Sequence, residues 1–126
     1  MAKQQSKPTD AELEILQVLW KDGPNSVRYV NTQLNKMREV GYTTTLKMMQ
    51  IMVEKGLLER NTSSRSHIYA SAISEETTQH SLVNKLVKQV FQGSPMRLVL
   101  QALGNHKASK AELSEIKALI KKMEEE

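Results

Sequence analysis

Apolar side chains recur at helical spacing along most of this chain, and each stripe is bounded by residues that start or stop helices. Leu13, Leu16 and Trp20 form the first stripe, widened by Ile15 and Leu19. The preceding Thr9-Asp10-Ala11-Glu12 has the spacing of a capping box, with Thr9 bonding forward and Glu12 reaching back. Asp22-Gly23-Pro24 closes this helix, because Gly23 can turn left-handed and Pro24 cannot continue the ladder. Ser26 then caps a second helix with Val27, Val30 and Leu34 on one face and Met37 near its edge, the segment ending at Gly41. In the third, Thr43 is the expected cap and Thr45, Met48, Met49 and Met52 form the buried stripe. Thr44, Lys47, Gln50, Ile51 and Glu54 are left on its other faces, and Gly56 stops it.

The period then changes. Residues 57–61 and 67–72 read as strands with Leu58, Ile68 and Tyr69 as apolar anchors, and 62–66 (TSSRS) is a small polar connection of hairpin type. Helical stripes resume after Ser74-Glu75-Glu76, whose negative charge suits a helix N-terminus. Leu82, Val83, Leu86, Val87, Val90 and Phe91 lead up to Gly93. Ser94-Pro95 starts another helix, with Met96, Val99, Leu100 and Leu103 before Gly104. Ser109 and Glu112 make a second capping box ahead of Leu113, Ile116, Leu119, Ile120 and Met123.

Three helices followed by a hairpin restrict the fold strongly. The expected class is mainly α, an α+β winged helix-turn-helix over residues 1–73, followed by a three-helix domain over 74–126. The latter is small enough to be marginal alone, so a second copy is the simplest cover for its stripes, through Leu82, Leu86, Val90, Leu100, Leu103, Ile116, Leu119 and Ile120.

Composition narrows the function. The chain has 126 residues, no cysteine, three histidines and a formal net charge of +4. Residues 1–73 hold ten Lys and Arg against seven Asp and Glu, and 74–126 hold eight against seven, so the excess lies with the helix-and-hairpin half. Without cysteine there is no disulfide, no thiolate catalysis and no Cys-based metal cluster. The N-terminus, read as a basic arm over residues 1–8, has no apolar h-region, and no apolar run approaches the ~20 residues that span a bilayer. A cytoplasmic protein with no membrane insertion, cofactor or metal is expected. Gly-rich phosphate loop, HExxH and nucleophile elbow are all missing, and His67, His80 and His106 are widely separated in sequence, so the chain does not read as an enzyme.

A helix followed directly by a basic hairpin can lay the helix in a DNA major groove and rest the hairpin on the adjoining backbone. Thr43 and Thr44 suit phosphates at the helix start. Lys47 can take a phosphate or the O6/N7 edge of guanine, and Gln50 can pair with adenine. Tyr42 can reach a sugar or phosphate, and Arg65 is the first wing candidate, with Arg60 second and Ser63 and Ser64 weaker. Leu46 and Ile51 are apolar in that helix and could meet thymine methyls or a partner surface, which keeps a protein–protein interaction module open as an alternative, as is a DNA-binding regulator other than a repressor.

PTDAELEIL at 8–16, LWKDGP at 19–24, GYTTTLKMMQIMVEKGLL at 41–58 and SRSHIYA at 64–70, in this order, resemble the BlaI/MecI/CopY family of bacterial repressors. The resemblance covers nearly the whole chain. It implies a winged-helix reader, a C-terminal homodimerisation domain, and repression through a palindromic double-stranded operator. In one branch of that family a membrane metalloprotease sensor triggers cleavage of the repressor. The corresponding segment here is 98–102 (LVLQA), which would put the cut between Gln101 and Ala102. The copper-sensing branch uses a C-terminal cysteine motif, which this chain lacks.

Overall fold

The computed structural model describes residues 7–63 and 65–126; residues 1–6, expected from the sequence to belong to a basic arm, and Ser64, a weaker contact candidate, lie outside the described residues. The elements run α1 (Asp10–Asp22), α2 (Val27–Leu34), α3 (Tyr42–Glu54), β1 (Leu58–Asn61), β2 (Ile68–Ser71), α4 (Glu75–Val90), α5 (Pro95–Gly104) and α6 (Lys110–Glu124). The chain divides into one unit ending at Thr78 and another spanning Gln79–Glu126.

In the first unit, local signals start the helices. The Thr9 hydroxyl accepts the Glu12 N–H at 3.2 Å and the Glu12 carboxylate accepts the Thr9 N–H at 2.9 Å, completing the capping box. Gly23, at φ 81°, ends α1 with its N–H donated to the Leu19 carbonyl. Ser26 caps α2 through the Tyr29 N–H. That helix is shorter than the sequence pattern suggests: it stops at Leu34, and Met37 is 62% exposed in the turn that follows.

Ile15, Leu16 and Leu19 of α1 pack with Val30 and Leu34 of α2, Met49 and Met52 of α3, and Leu57, Leu58 and Tyr69 of the hairpin into one core. Met48 is only half-buried and packs at its edge. The two strands are antiparallel, with Leu58 opposite Ser71 and Arg60 opposite Tyr69. Asn25 and Tyr69 exchange both backbone hydrogen bonds at 2.9 Å, which ties the α1–α2 turn to the base of the hairpin. The Trp20 indole N–H reaches the Ser71 hydroxyl at 2.9 Å and the Ile73 carbonyl at 3.1 Å, fixing α1 to the chain beyond β2.

An ion pair with a buried carboxylate ties the end of α3 to the start of α1. Lys55, at the C-terminal cap of α3, donates to the Glu12 carboxylate at 2.8 Å, and the Glu12 side chain is only 5% exposed. Burial opposes ionisation of Glu12, but the Lys55 ammonium and the Thr9 N–H outweigh it and hold the carboxyl below its ordinary range. Because the folded pKa lies below the unfolded one, this stability is present above the usual carboxylate pKa and is lost as pH falls through the folded value. Lys55→Ala strands the buried carboxylate and should cost about 1–3 kcal/mol in urea unfolding at neutral pH. It should also flatten the acid-side loss of stability, because without Lys55 burial raises the folded Glu12 pKa and removes the difference from the unfolded chain that drives that loss. An unchanged stability–pH profile would remove this pair from the account.

The second unit holds most of α4 and all of α5 and α6. Ser94 caps α5 with Pro95 in its first turn, and Ser109 with Glu112 makes the expected capping box on α6. Its apolar stripes are mostly open. Among its described residues only Val87 is buried, Leu82 and Ile116 are half-buried, and Leu86, Val90, Leu100, Leu103, Leu119 and Ile120 are exposed. None of the closely packed element pairs joins two of α4, α5 and α6.

Candidate nucleic-acid interface

The turn that presents α3 is held by amides. The Asn31 amide donates to the Val40 carbonyl at 3.0 Å and to the Thr45 hydroxyl at 2.9 Å. The Asn35 amide also donates to the Val40 carbonyl, at 2.9 Å, and its carbonyl accepts the Val40 N–H. Thr45 is thereby fixed inward, almost fully buried. These bonds set where α3 begins: Gly41 is its N-cap, with no side-chain cap, and Tyr42 is its first residue. Thr43 is therefore not the cap that the sequence suggested. It stands one position inside the helix and exposed.

With Thr45, Met49 and Met52 inward, α3 turns Thr43, Thr44, Lys47 and Gln50 outward. Thr43, Lys47 and Gln50 lie at i, i+4 and i+7, a single stripe along the helix. Leu46 departs from the expectation of a reading residue: it is half-buried against the core. Ile51 is 39% exposed and lines a groove of about 430 Å³ with Thr43, Thr44, Lys47, Lys55 and Thr9.

The wing separates its two arginines. Arg65 shares a groove of about 390 Å³ with Tyr42, Arg28, Ser26 and His67, between α2, the start of α3 and the hairpin. Arg60 instead lines a groove of about 620 Å³ with Pro24, Asn61 and Ser63. Both arginines are exposed, and the wing tip is shaped by an Asn61 side chain that accepts the Ser63 N–H at 2.9 Å. Tyr69 is 1% exposed and serves packing, as its pattern suggested.

Arg28 is absent from the residues that sequence reasoning selected. Its guanidinium carbon stands 5.6 Å from the centre of the Tyr42 ring, within range of a cation–π contact. Only the basic residue type signalled it; the contact spans two helices. Asn31 and Asn35 were missed in the same way, as positioning residues for the turn.

The ion pairs among the described residues are Glu14–Arg38, Glu12–Lys55 and His106–Glu112, so Arg28, Lys47, Arg60 and Arg65 have no acidic partner there. Arg38, by contrast, grips Glu14 with two nitrogens, the shortest contact at 2.7 Å, and this hydrogen bond holds the Glu14 carboxyl below its ordinary range. Among the described residues no group of three or more His, Asp or Glu could hold a metal, and no helix is long and apolar enough to cross a membrane.

Gln101 and Ala102, the expected scissile pair, are exposed but lie inside α5. Their peptide bond is within a hydrogen-bonded helical turn, which a protease must unwind to reach.

Comparison with known proteins places these features in a lineage. The family model described as "Penicillinase repressor" matches residues 8–122. The chain is 29% identical over 112 residues to the penicillinase repressor of Bacillus licheniformis, covering 86% of this chain and 84% of that one. It is 21% identical over 120 residues to the penicillinase repressor of Staphylococcus aureus, covering 95% of each. Its structure is similar to the solution structure of the Bacillus licheniformis BlaI monomeric form in complex with the blaP half-operator. That likeness has a TM-score of 0.51 at 28% identity, over 60% of this chain and 92% of the other. With the match running from the first capping box almost to the end of α6, the chain belongs to the penicillinase repressor family.

Proposed function

We propose that this protein is a DNA-binding transcriptional repressor that acts as a homodimer on a two-fold symmetric operator. The observation that carries the reading is the outward stripe Thr43, Lys47 and Gln50 on a helix whose opposite face packs into the core, with wing arginines beside it that have no acidic partner among the described residues. A rigid helix with polar side chains at i, i+4 and i+7 can follow base edges in a major groove, while Thr44 and Arg65 meet phosphates. The half-operator complex of the Bacillus licheniformis relative supports the same placement of the first unit.

The open apolar faces of α4, α5 and α6 supply the second half. Two copies joined there carry two readers, which suits half-sites about one helical turn apart. Cutting between Gln101 and Ala102 would sever the pairing helices and release DNA while leaving the reader whole. A membrane metalloprotease sensor is one source of such a cut.

The test is selection of duplexes from a randomised pool by the full chain, followed by binding across salt concentrations. A repressor of this kind should enrich a palindrome and lose affinity steeply as salt rises. An unenriched pool would leave the protein–protein module as the better reading. On the selected site, Lys47→Ala should weaken binding by about 1–3 kcal/mol and relax preference at one base position per half-site. If affinity at matched salt does not move, Lys47 is outside the interface.

A further inference from the structure

The groove that joins α2, α3 and the wing differs in composition from the two other grooves described above. Arg28, Arg65 and His67 line it together with Ser26 and Tyr42, and no Asp or Glu is among its lining residues. The groove at the other side of α3 contains Glu12, and the one outside the wing contains Glu59. Neither Arg28 nor Arg65 has an acidic partner among the described residues, so their charge is available to an outside anion. The Arg28 guanidinium carbon also stands over the ring of Tyr42, the first residue of the reading helix, 5.6 Å from its centre. A cation–π contact at this range favours one placement of a side chain that otherwise loses much rotamer freedom on binding, and it uses none of the guanidinium N–H donors.

The geometry points to this groove as the seat of one backbone phosphate of bound DNA, shared by Arg28 from α2 and Arg65 from the wing, with Tyr42 positioning Arg28. This rests on the DNA-binding reading and adds to it a residue on α2 and a division of labour. The stripe on α3 reads bases, whereas the groove fixes the register of the reader along the backbone without reading sequence.

Charge and stacking can be separated by substitution. The full-length protein, Arg28→Ala, Arg28→Lys and Arg65→Ala would each be titrated against the selected duplex and against a random duplex of equal length, over a range of salt. A phosphate contact contributes about 0.9 to the slope of log affinity against log salt. Because the two arginines share one phosphate, Arg28→Ala and Arg65→Ala should each lower that slope by roughly half this amount, the double variant by about 0.9, and each should weaken both duplexes by the same factor, roughly five- to ten-fold near physiological salt. Arg28→Lys should retain the slope. Arg28 is exposed, so thermal unfolding of the variants should match the parent protein. A parent-like slope in Arg28→Ala, or weakening confined to the selected duplex, overturns the phosphate seat while leaving the DNA-binding reading intact. If the unaltered protein binds neither duplex, both fall together. Competition by inorganic phosphate at constant ionic strength should be negligible; strong competition would instead make the groove a site for the free anion.

Discussion

Replacing Leu100 and Leu119 with aspartate is expected to reduce affinity for a full palindromic site by about 10²- to 10⁴-fold while leaving affinity for a half-site unchanged. In the single chain these leucines are 64% and 58% exposed, on α5 and α6. Each would be worth about 1.5–3 kcal/mol on full burial against a second copy. An aspartate in their place leaves the isolated chain's packing nearly untouched, because so little touches these side chains there. In a dimer the same carboxylates would be desolvated without partners, which the interface cannot tolerate.

The size of the effect follows from linkage rather than from any lost DNA contact. Once one reader is bound, the second sees its half-site at the effective concentration set by the tether. Without pairing that gain vanishes. Sedimentation of the double variant should show monomer, and binding assays on full and half-sites should then give equal affinities per reader. A variant that remains dimeric, or one that is monomeric yet binds the full site as before, would defeat the paired-reader mechanism.

The sequence revealed features whose partners are close together. The capping boxes at Thr9–Glu12 and Ser109–Glu112, and the caps at Ser26 and Ser94, each close over three residues, so residue type and spacing nearly determine them. The buried stripe of α3 was legible for a similar reason: helical period puts Thr45, Met49 and Met52 on one side whatever they meet. The exposed stripe then followed by subtraction.

What escaped depends on distant partners. The Glu12–Lys55 pair spans 43 residues, and a capping-box glutamate gives no sign that its second oxygen is also used. The start of α3 was misplaced because three consecutive threonines look equally able to cap. The amides of Asn31 and Asn35, acting from α2 and its C-cap, decide the matter by fixing Val40 and drawing Thr45 inward. Met37 carried helical spacing but fell beyond the end of α2, where Asn35 folds its side chain over the turn. Arg28 becomes notable only when α2 and α3 cross and bring Tyr42 beneath it.

Met49→Ala is expected to damage the reader severely, although Met49 is turned into the core and away from the reading face. Its side chain is fully buried, at 0% exposure, on the inner face of the helix that carries Lys47 and Gln50. Removing a buried methionine to alanine costs about 2–5 kcal/mol, part from lost transfer energy and part from the cavity left behind. In a domain of this size each kcal/mol lowers the midpoint of thermal unfolding by about 4–8 °C, so a fall of roughly 8–40 °C is expected. Met49→Leu keeps the volume and should lose less than about 1.5 kcal/mol. Met48→Ala, at a half-buried position on the same helix, should fall between them. Operator binding by Met49→Ala should follow the folded fraction, recovering on cooling or at low denaturant with the salt slope unaltered. Lys47→Ala should show the reverse, with folding intact and affinity reduced at every temperature. Calorimetry paired with binding at two temperatures separates the two. If Met49→Ala unfolds like the parent protein yet binds poorly, the division of α3 into a packed face and a reading face is wrong.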